Sequence, residues 1–402
     1  MKKFFKKTLI YTINKLNFFI KKFVEIKDNK ICFGGKFYGN SKYLFLYLSS
    51  IKSLKVYWLT TDKKLMQFLQ NNNQNSISTW SIKAIYILLS SKFFFFNSSV
   101  NNISDLNFFD KKKKFINLWH GNPIKKIFYS KKNLTKGHKE YLKNFFKNFN
   151  YFNVHSKILK KKFKNAINTK KVNIISCGSP ANDILYKSKE DILFSKIIKS
   201  KVRKILKITK KKKIILYCPT HRQKYTSKQL ENLNIFFKKI KLFLIKNNIV
   251  MLVRFHPLDT YYKKNNNFKS KSIYNISNFV DVTPFLIAGD VLITDYSSII
   301  FDYSILDKPY LFYHYDFKEY CLERNFYYKW SEYPTKIATN PNQLIRYLDK
   351  DNYFSYKKNK KFSKKYNTHN ALANLLNFFF PGKKEEVFRN NMYFENIKKF
   401  LF

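Results

Sequence analysis

Residues 290–313 read DVLITDYSSIIFDYSILDKPYLFY. Residues 291–294 form a short apolar, β-prone run, 298–306 carry apolar residues at helical spacing, and 310–314 form a second apolar run. Strand, polar turn, helix and strand in so short a span specify a crossover unit with two parallel strands. The turn between them, Asp295-Tyr296-Ser297-Ser298, sits beyond the carboxyl end of a strand, where open α/β sheets bind their ligands. Ser297 or Ser298 is placed to cap the helix, and free amides at such a start bind phosphate.

The same grammar repeats on both sides of this stretch. Strands are predicted at 31–34, 55–60, 93–96, 115–119, 151–155 and 173–177, and again at 213–218, 249–255, 272–276, 291–294 and 310–314. Helices fall between them, among them 42–50, 139–149, 227–246, 282–288, 298–306 and 340–348. Such alternation predicts an α/β protein whose parallel sheets are covered on both faces. At 402 residues the chain exceeds one ordinary core. We read a basic N-terminal segment (1–28), a first Rossmann-like domain (29–182), a second (183–382) and a tail (383–402), with the helical, lysine-rich 183–212 as a hinge region. The two doubly wound domains are expected to face each other across a cleft.

With 19% aromatic and 45% apolar residues, disorder is excluded. The formal charge of +53 has two sources to weigh. One is attraction to a polyanion or an anionic membrane. The other is an A/T-rich genome, which raises Lys, Asn, Phe, Ile and Tyr together and accounts for much of the excess. Lysine runs at 111–114 and 210–213 each precede a strand and read as solvated loops. Cys32, Cys177, Cys218 and Cys321 are scattered, with no metal or redox spacing, as in a reduced intracellular protein. In the first 25 residues Leu9, Ile10, Ile13, Leu16, Phe19, Ile20 and Phe23 recur at helical spacing among lysines, too interrupted to span a bilayer. The pattern suits a helix lying in the membrane interface or one packed on the protein body.

Four strand ends carry polar groups. Strand 115–119 runs into His120, Gly121, Asn122 and Pro123, with Lys125 and Lys126 beyond; the turn residues let the backbone bend sharply there. Strand 213–218 runs into Thr220, His221 and Arg222, and strand 249–255 carries Arg254 and ends at His256-Pro257. The fourth is Asp295 to Ser298. Together they hold the imidazoles, cations, hydroxyls and helix-start amides that a diphosphate requires.

These segments resemble a known family. WHGNPIKKI (119–127), CGSPAND (177–183), YCPTHR (217–222), VRFHP (253–257) and the quoted 290–313, continuing through Asp316 and Tyr320, are similar in order to the motifs of CDP-glycerol glycerophosphotransferases, as is the opening FGGKFYGNSKYL (33–44). The resemblance covers roughly residues 30–382. It implies a GT-B architecture with the CDP donor held mainly by the second domain. It also implies catalytic roles for His120 and His256, donor binding by Thr220, Arg222, Arg254, Asp295, Ser297 and Ser298, and support from Gly121 and Lys125. The family usually has Trp where His221 stands and Arg where Ala181 stands; the first departure is expected to alter stacking or contacts around the donor, and the second to remove a charge near the interdomain region.

The implied activity is an EC 2.7.8-type transfer of glycerol phosphate, or a related polyol phosphate, from a CDP donor to a hydroxyl of a lipid-linked or glycan acceptor. Such a transfer serves teichoic-acid, capsule or other surface-glycan synthesis. His120 is read as the general base, and His256, Arg254 and Arg222 as stabilisers of the diphosphate and departing CMP. Asp295 is read as orienting a neighbour or the ribose. No metal cofactor is required by this reading, although stimulation by Mg²⁺ is compatible with it. The expected location is peripheral, on the cytoplasmic face of the cell membrane. A nucleotide-sugar glycosyltransferase is the same-fold alternative. A nucleic-acid-binding protein is the alternative of another class, disfavoured because the basic residues are dispersed and no nucleic-acid module is visible. A non-enzymatic membrane scaffold gives no reason for the strand-end His and Arg set.

Overall fold

An unbroken apolar run such as Phe93–Phe96 cannot leave one face to water, so it requires a sheet covered on both sides. The computed structural model describes residues 2–209, 212–222, 224–256, 259, 270–383 and 392–402. Lys210 and Lys211 of the second lysine run, Pro257 of the VRFHP motif and residues 384–391 of the tail lie outside the described residues. The chain divides into two compact units, one of Met1–His120, Thr135–Ala181 and Asn370–Phe400, the other of Gly121–Leu134, Asn182–His369 and Leu401–Phe402.

The first unit holds β1 (Lys27–Gly34), β2 (Lys55–Thr60), β3 (Ser76–Ser78), β4 (Ser91–Phe96), β5 (Lys114–Asn117), β6 (Tyr151–Asn153) and β7 (Asn173–Ile175). They form one sheet in the order β3-β2-β1-β4-β5-β6-β7, with every pairing parallel. Its interior is built from stacked rings, with Phe33 and Phe95 centroids 5.3 Å apart and Phe94 and Phe115 4.9 Å apart. Burying each such ring is worth roughly 1.5–3 kcal/mol, so this phenylalanine-rich composition is used as core.

The second unit holds β8 (Lys213–Cys218), β9 (Ile249–Val253), β10 (Ile273–Asn275), β11 (Val291–Thr294), β12 (Tyr310–Tyr313) and β13 (Ile337–Ala338), ordered β10-β9-β8-β11-β12-β13 and again parallel throughout. In each unit the strand order reverses beside the first strand, between β1 and β4 and between β8 and β11. Reversal sends successive helices to opposite faces and leaves a crevice at the strand ends. A packed core of β8, β9 and β11 residues with Leu233, Phe236, Ile240 and Leu244 of helix Ser227–Lys246 closes one face.

Each unit draws in chain from outside the continuous limits expected at 29–182 and 183–382. Residues 121–134 join the second unit because their backbone pairs there: Lys126 N donates to Asn325 O at 2.8 Å and Tyr327 N to Ile124 O at 2.9 Å. Helix Ala371–Phe379 joins the first, with Phe379 edge-on to Phe95 and Tyr151, and Asn374 Nδ2 donating to Cys177 O at 3.1 Å. Helix Lys2–Ile20 is also part of the first unit, where Asn17 is buried and Asn14 Oδ1 accepts from Asn107 N at 2.7 Å. That helix docks by its asparagines and leaves Leu16, Phe18, Phe19, Ile20 and the following Phe23 exposed. Among the described residues no helix is long and apolar enough to cross a membrane.

Candidate active site

In the first unit the site is the turn that presents His120. β5 stops at Asn117, two residues short of expectation, because the Asn117 side chain intervenes: its Oδ1 accepts from Trp119 N at 2.9 Å and its Nδ2 donates to Ser98 O at 2.9 Å. The bend then falls on Trp119, whose φ of +54° is left-handed, and not on Gly121. A bulky residue in that region costs about 1–2 kcal/mol and persists only where its surroundings hold it. Asn40 does so: its Nδ2 donates to Trp119 O at 2.7 Å while its Oδ1 accepts from Ser179 Oγ at 2.7 Å and Ala181 N at 3.1 Å. His120 emerges exposed at the end of this braced turn.

In the second unit the remaining predicted residues gather at the ends of β8, β9 and β11. Arg222 is 5% exposed. Its Nε and Nη2 grip both oxygens of Asp316 at 2.9 Å, its Nη1 donates to Asp295 Oδ2 at 2.7 Å and to Thr220 O, and its guanidinium lies over Tyr296 and Tyr320, 5.2 and 4.8 Å from the ring centroids. Burial lowers its pKa, but Asp295 and Asp316 more than offset this and hold it well above the ordinary value. Burial likewise opposes ionisation of Asp295, and Arg222 with the Thr220 and Tyr296 amides outweighs it, so that carboxyl sits below its usual range. Arg222, expected to stabilise the donor diphosphate, meets two carboxylates of its own unit. With both nitrogens of the fork and its Nε committed, Arg222 and Asp295 shape the floor of the site. Asp295 accepts from the Thr220 and Tyr296 amides as well as from Arg222.

Two further cations of this unit, Lys125 and Arg254, are half-buried and have no carboxylate at salt-bridge distance among the described residues. Lys125 makes no hydrogen bond or ion pair among the described residues, and burial with nearby Arg222 and Arg324 pushes its pKa down to about 8 against the pull of Asp295. Arg254 donates to the carbonyls of Ile276, Phe279 and Val280 and so pins that loop. His256 stacks on His221, centroids 5.4 Å apart at 24°. Lost hydration, then His221, Lys125 and Arg254, hold the His256 pKa below its ordinary value against Asp259. Thr220 Oγ1 is buried with no hydrogen-bond partner among the described residues.

Ser297 and Ser298 are half-buried ahead of helix Ile299–Tyr303. Neither caps it as expected: the Ser298 side chain makes no capping bond, and Ser297 Oγ reaches Ile299 N only at 3.5 Å. Both hydroxyls therefore remain available to a ligand. Gly121 lies against Ser298, where a Cβ would stand 3.2 Å from its Oγ. Sequence reasoning missed the contacts of Asp316, Gln229 and Tyr296 around Arg222. Gln229 is the clearest of these: its Oε1 accepts from Thr226 N at 2.9 Å in a capping box while its Nε2 donates to Asp316 Oδ2 at 2.9 Å. The Thr226-x-x-Gln229 signature was readable; its use in the site was not.

Residues 16–373 match the model of the family described as CDP-Glycerol:Poly(glycerophosphate) glycerophosphotransferase. The teichoic acid glycerol-phosphate primase of Bacillus subtilis (strain 168) is 31% identical over 308 residues, 74% of this chain and 75% of that protein. The teichoic acid glycerol-phosphate transferase of Staphylococcus aureus (strain NCTC 8325 / PS 47) is 26% identical over 325 residues, 78% of this chain and 80% of that one. A solved structure of the wall teichoic acid polymerase TagF with CDPG superposes with a TM-score of 0.73 at 22% identity, covering 96% of this chain and 99% of that chain. This likeness gives the fold, two Rossmann-like units of the GT-B type. Over nearly its whole described length, the chain belongs to the CDP-glycerol:poly(glycerophosphate) glycerophosphotransferase family.

Proposed function

We propose that this chain moves glycerol phosphate, or a related polyol phosphate, from a CDP-linked donor to an acceptor hydroxyl in the synthesis of a cell-envelope polymer or surface glycan. The observation that carries the reading beyond family membership is the site in the second unit. There a buried Arg222 salted between Asp295 and Asp316 at the β8–β11 crevice fixes a floor, and Lys125, Arg254 and His256 surround it with cationic or hydrogen-bonding groups.

In this reading the acceptor oxygen attacks the β-phosphorus of the donor. The new O–P bond forms as the bond to the CMP phosphate breaks, and the electron pair leaves with CMP. The acceptor proton passes to His120, a strand-end imidazole suited to general-base work near neutral pH. Lys125, Arg254 and His256 neutralise charge on the non-bridging oxygens and on CMP, and Ser297 and Ser298 hold a phosphate through their hydroxyls. Arg222 and Asp295 act from beneath by fixing the Thr220 amide and the β11 turn. No metal is required; full activity in EDTA is the expected outcome.

The decisive assay follows CMP release from CDP-glycerol with a membrane acceptor. His120→Ala should lower kcat by about 10²–10⁴ while calorimetric binding of CDP-glycerol is retained. Activity within a few-fold of the unsubstituted enzyme removes His120 from the role.

A lipid-linked acceptor on the cytoplasmic face of the membrane fits the exposed Leu16, Phe18, Phe19, Ile20 and Phe23 set among Lys15, Lys21 and Lys22. Flotation on anionic vesicles should be lost on deleting residues 1–23. Equal flotation of the shortened chain would exclude this segment as the anchor.

A further inference from the structure

Arginine stands at only six positions among the 78 Lys and Arg of this chain, so each raises the question of what its planar fork grips. Four of the five described arginines find a partner within the second unit. Arg222 is clamped by Asp295 and Asp316, and Arg203 donates to Thr209 O at 2.8 Å and Lys212 O at 2.7 Å. Arg254 donates to loop carbonyls, and Arg346 lies over Tyr347, 5.8 Å from the ring centroid. Arg324, half-buried, makes no hydrogen bond, ion pair or ring contact among the described residues.

A short antiparallel bridge within the second unit fixes its place. Lys125 lies opposite Phe326, flanked by Lys126 N donating to Asn325 O at 2.8 Å and Tyr327 N to Ile124 O at 2.9 Å. Those flanking bonds make Lys125 and Phe326 a non-hydrogen-bonded pair, the closer kind, with both side chains on one face. Arg324 is extended, with φ −133° and ψ 143°, so its side chain leaves on the same face as that of Phe326, two residues on. Diagonal neighbours of this kind are about 7–8 Å apart, within reach of two long side chains. On that face Phe326 packs against Tyr296 and Trp330, centroids 5.9 and 5.1 Å away, and the Arg222 guanidinium lies over Tyr296. Lys125 and Arg324 therefore flank the floor that Arg222 and Asp295 build.

Two half-buried cations side by side, with no carboxylate at salt-bridge distance among the described residues, repel each other after both have lost hydration. Burial, then Arg222 and Arg324, push the Lys125 pKa down to about 8 against Asp295, and burial and then Arg324 lower that of Lys131. The chain alone gains nothing from this arrangement; a doubly charged anion laid against it offsets the repulsion.

We propose that Arg324 is a donor-binding residue: its guanidinium fork takes non-bridging oxygens of the donor's diphosphate, with Lys125 beside it as a point charge. Arg222 cannot play this part, because its own fork is filled. The inference rests on the CDP-donor reading above. No bond to Arg324 forms or breaks in the transfer; with Lys125 it matches the charge of the diphosphate.

The test titrates CDP-glycerol by calorimetry, and cytidine by NMR, into the full chain and its Arg324→Gln and Arg324→Lys variants. Arg324→Gln should weaken CDP-glycerol binding roughly 10–100-fold and leave cytidine binding unchanged. Its ligand-free Tm should be equal or higher, because a like-charge neighbour is gone. Arg324→Lys, which keeps the charge and loses the fork, should fall between. In the unsubstituted chain the Nε–H resonance of Arg324, identified by its loss in Arg324→Lys, should shift with CDP-glycerol and not with cytidine. Donor affinity in Arg324→Gln within a few-fold of the unsubstituted chain overturns the proposal, as do equal losses for CDP-glycerol and cytidine. A raised KM for the acceptor with donor binding intact overturns it too, by moving the residue to the acceptor. The Nε–H resonance decides the matter even if the glutamine variant does not fold. If the unsubstituted chain binds no CDP-glycerol, the underlying reading has failed; if it binds and Arg324→Gln binds equally, this inference alone has failed.

Discussion

Asp316→Asn removes one carboxylate from the pair that clamps Arg222, and its cost can be worked from the contacts. The carboxylate accepts four hydrogen bonds: from Arg222 Nη2 at 2.9 Å and Tyr296 Oη at 3.1 Å on Oδ1, and from Arg222 Nε and Gln229 Nε2, both at 2.9 Å, on Oδ2. An asparagine keeping its oxygen at the first position preserves two of them. Its amide then meets two donors at the second, so one charge-assisted and one neutral bond are lost where nothing can rehydrate. A charge-assisted bond is worth about 1.5–3 kcal/mol and a neutral one about 1 kcal/mol. Removing one partner of a buried pair costs about 3–5 kcal/mol, and Asp295 still compensates Arg222, so the expected loss is about 3 kcal/mol. For a unit of this size that is roughly 6–12 °C in Tm. The assay is calorimetric unfolding, with the second unit's transition identified as the one CDP-glycerol raises and the exposed Asp349→Asn as control. CDP-glycerol affinity should fall in parallel, because the Thr220 turn is held by the same clamp. A stability loss under about 1 kcal/mol with normal donor affinity would refute the view that Arg222 is structural.

Gly121→Ala places a Cβ 3.2 Å from Ser298 Oγ. The hydroxyl must shift by a few tenths of an ångström, so CDP-glycerol binding should weaken roughly 3–10-fold with Tm nearly unchanged, measured by calorimetry and thermal unfolding. Lys125, pushed down to about 8 by burial, is charged below that pH and loses its charge above it. Donor affinity should fall by about tenfold or more from pH 7 to pH 9.5, and Lys125→Met should abolish that dependence. Burial raises the Asp302 carboxyl to about 7 against a hydrogen bond from Asn182. Its folded pKa lies above its unfolded one, so folding takes up a proton, and the contribution present at pH 4 is lost as pH rises through 7. Asp302→Asn should therefore gain roughly 2–4 kcal/mol over the unsubstituted chain at pH 8 and little at pH 4, read from urea unfolding at both pH values.

Much of the fold was legible because strands and helices announce themselves within a few residues. β2, β8, β11 and helix Ser227–Lys246 fall on the residues their apolar pattern marks. β3 and β13 were not foreseen, since Ser76–Ser78 and Ile337–Ala338 are short edge strands whose pairing comes from a neighbour and not from their own composition. The strand-end residues were also readable: His120, Thr220, Arg222, Arg254, His256, Asp295, Ser297 and Ser298 each follow or close an apolar run.

What each of them does was decided elsewhere. A guanidinium at position 222 reads the same whether it meets a ligand or a carboxylate, and only the arrival of Asp316, 94 residues away, consumes it. Local chemistry marked the turn residues Gly121, Asn122 and Pro123 as the place for a sharp bend, but the left-handed bend falls before His120, at Trp119, whose carbonyl is held by Asn40, 79 residues upstream. Residues 121–134 and 370–400 change unit because their partners are distant in sequence. The sequence by itself determined the two parallel sheets, the family and the polar strand ends, because periodicity and turn chemistry act over a few residues. Only the tertiary structure decided which charges are spent on each other and which face outward, because electrostatic pairing depends on distance in space and leaves no periodic trace along the chain.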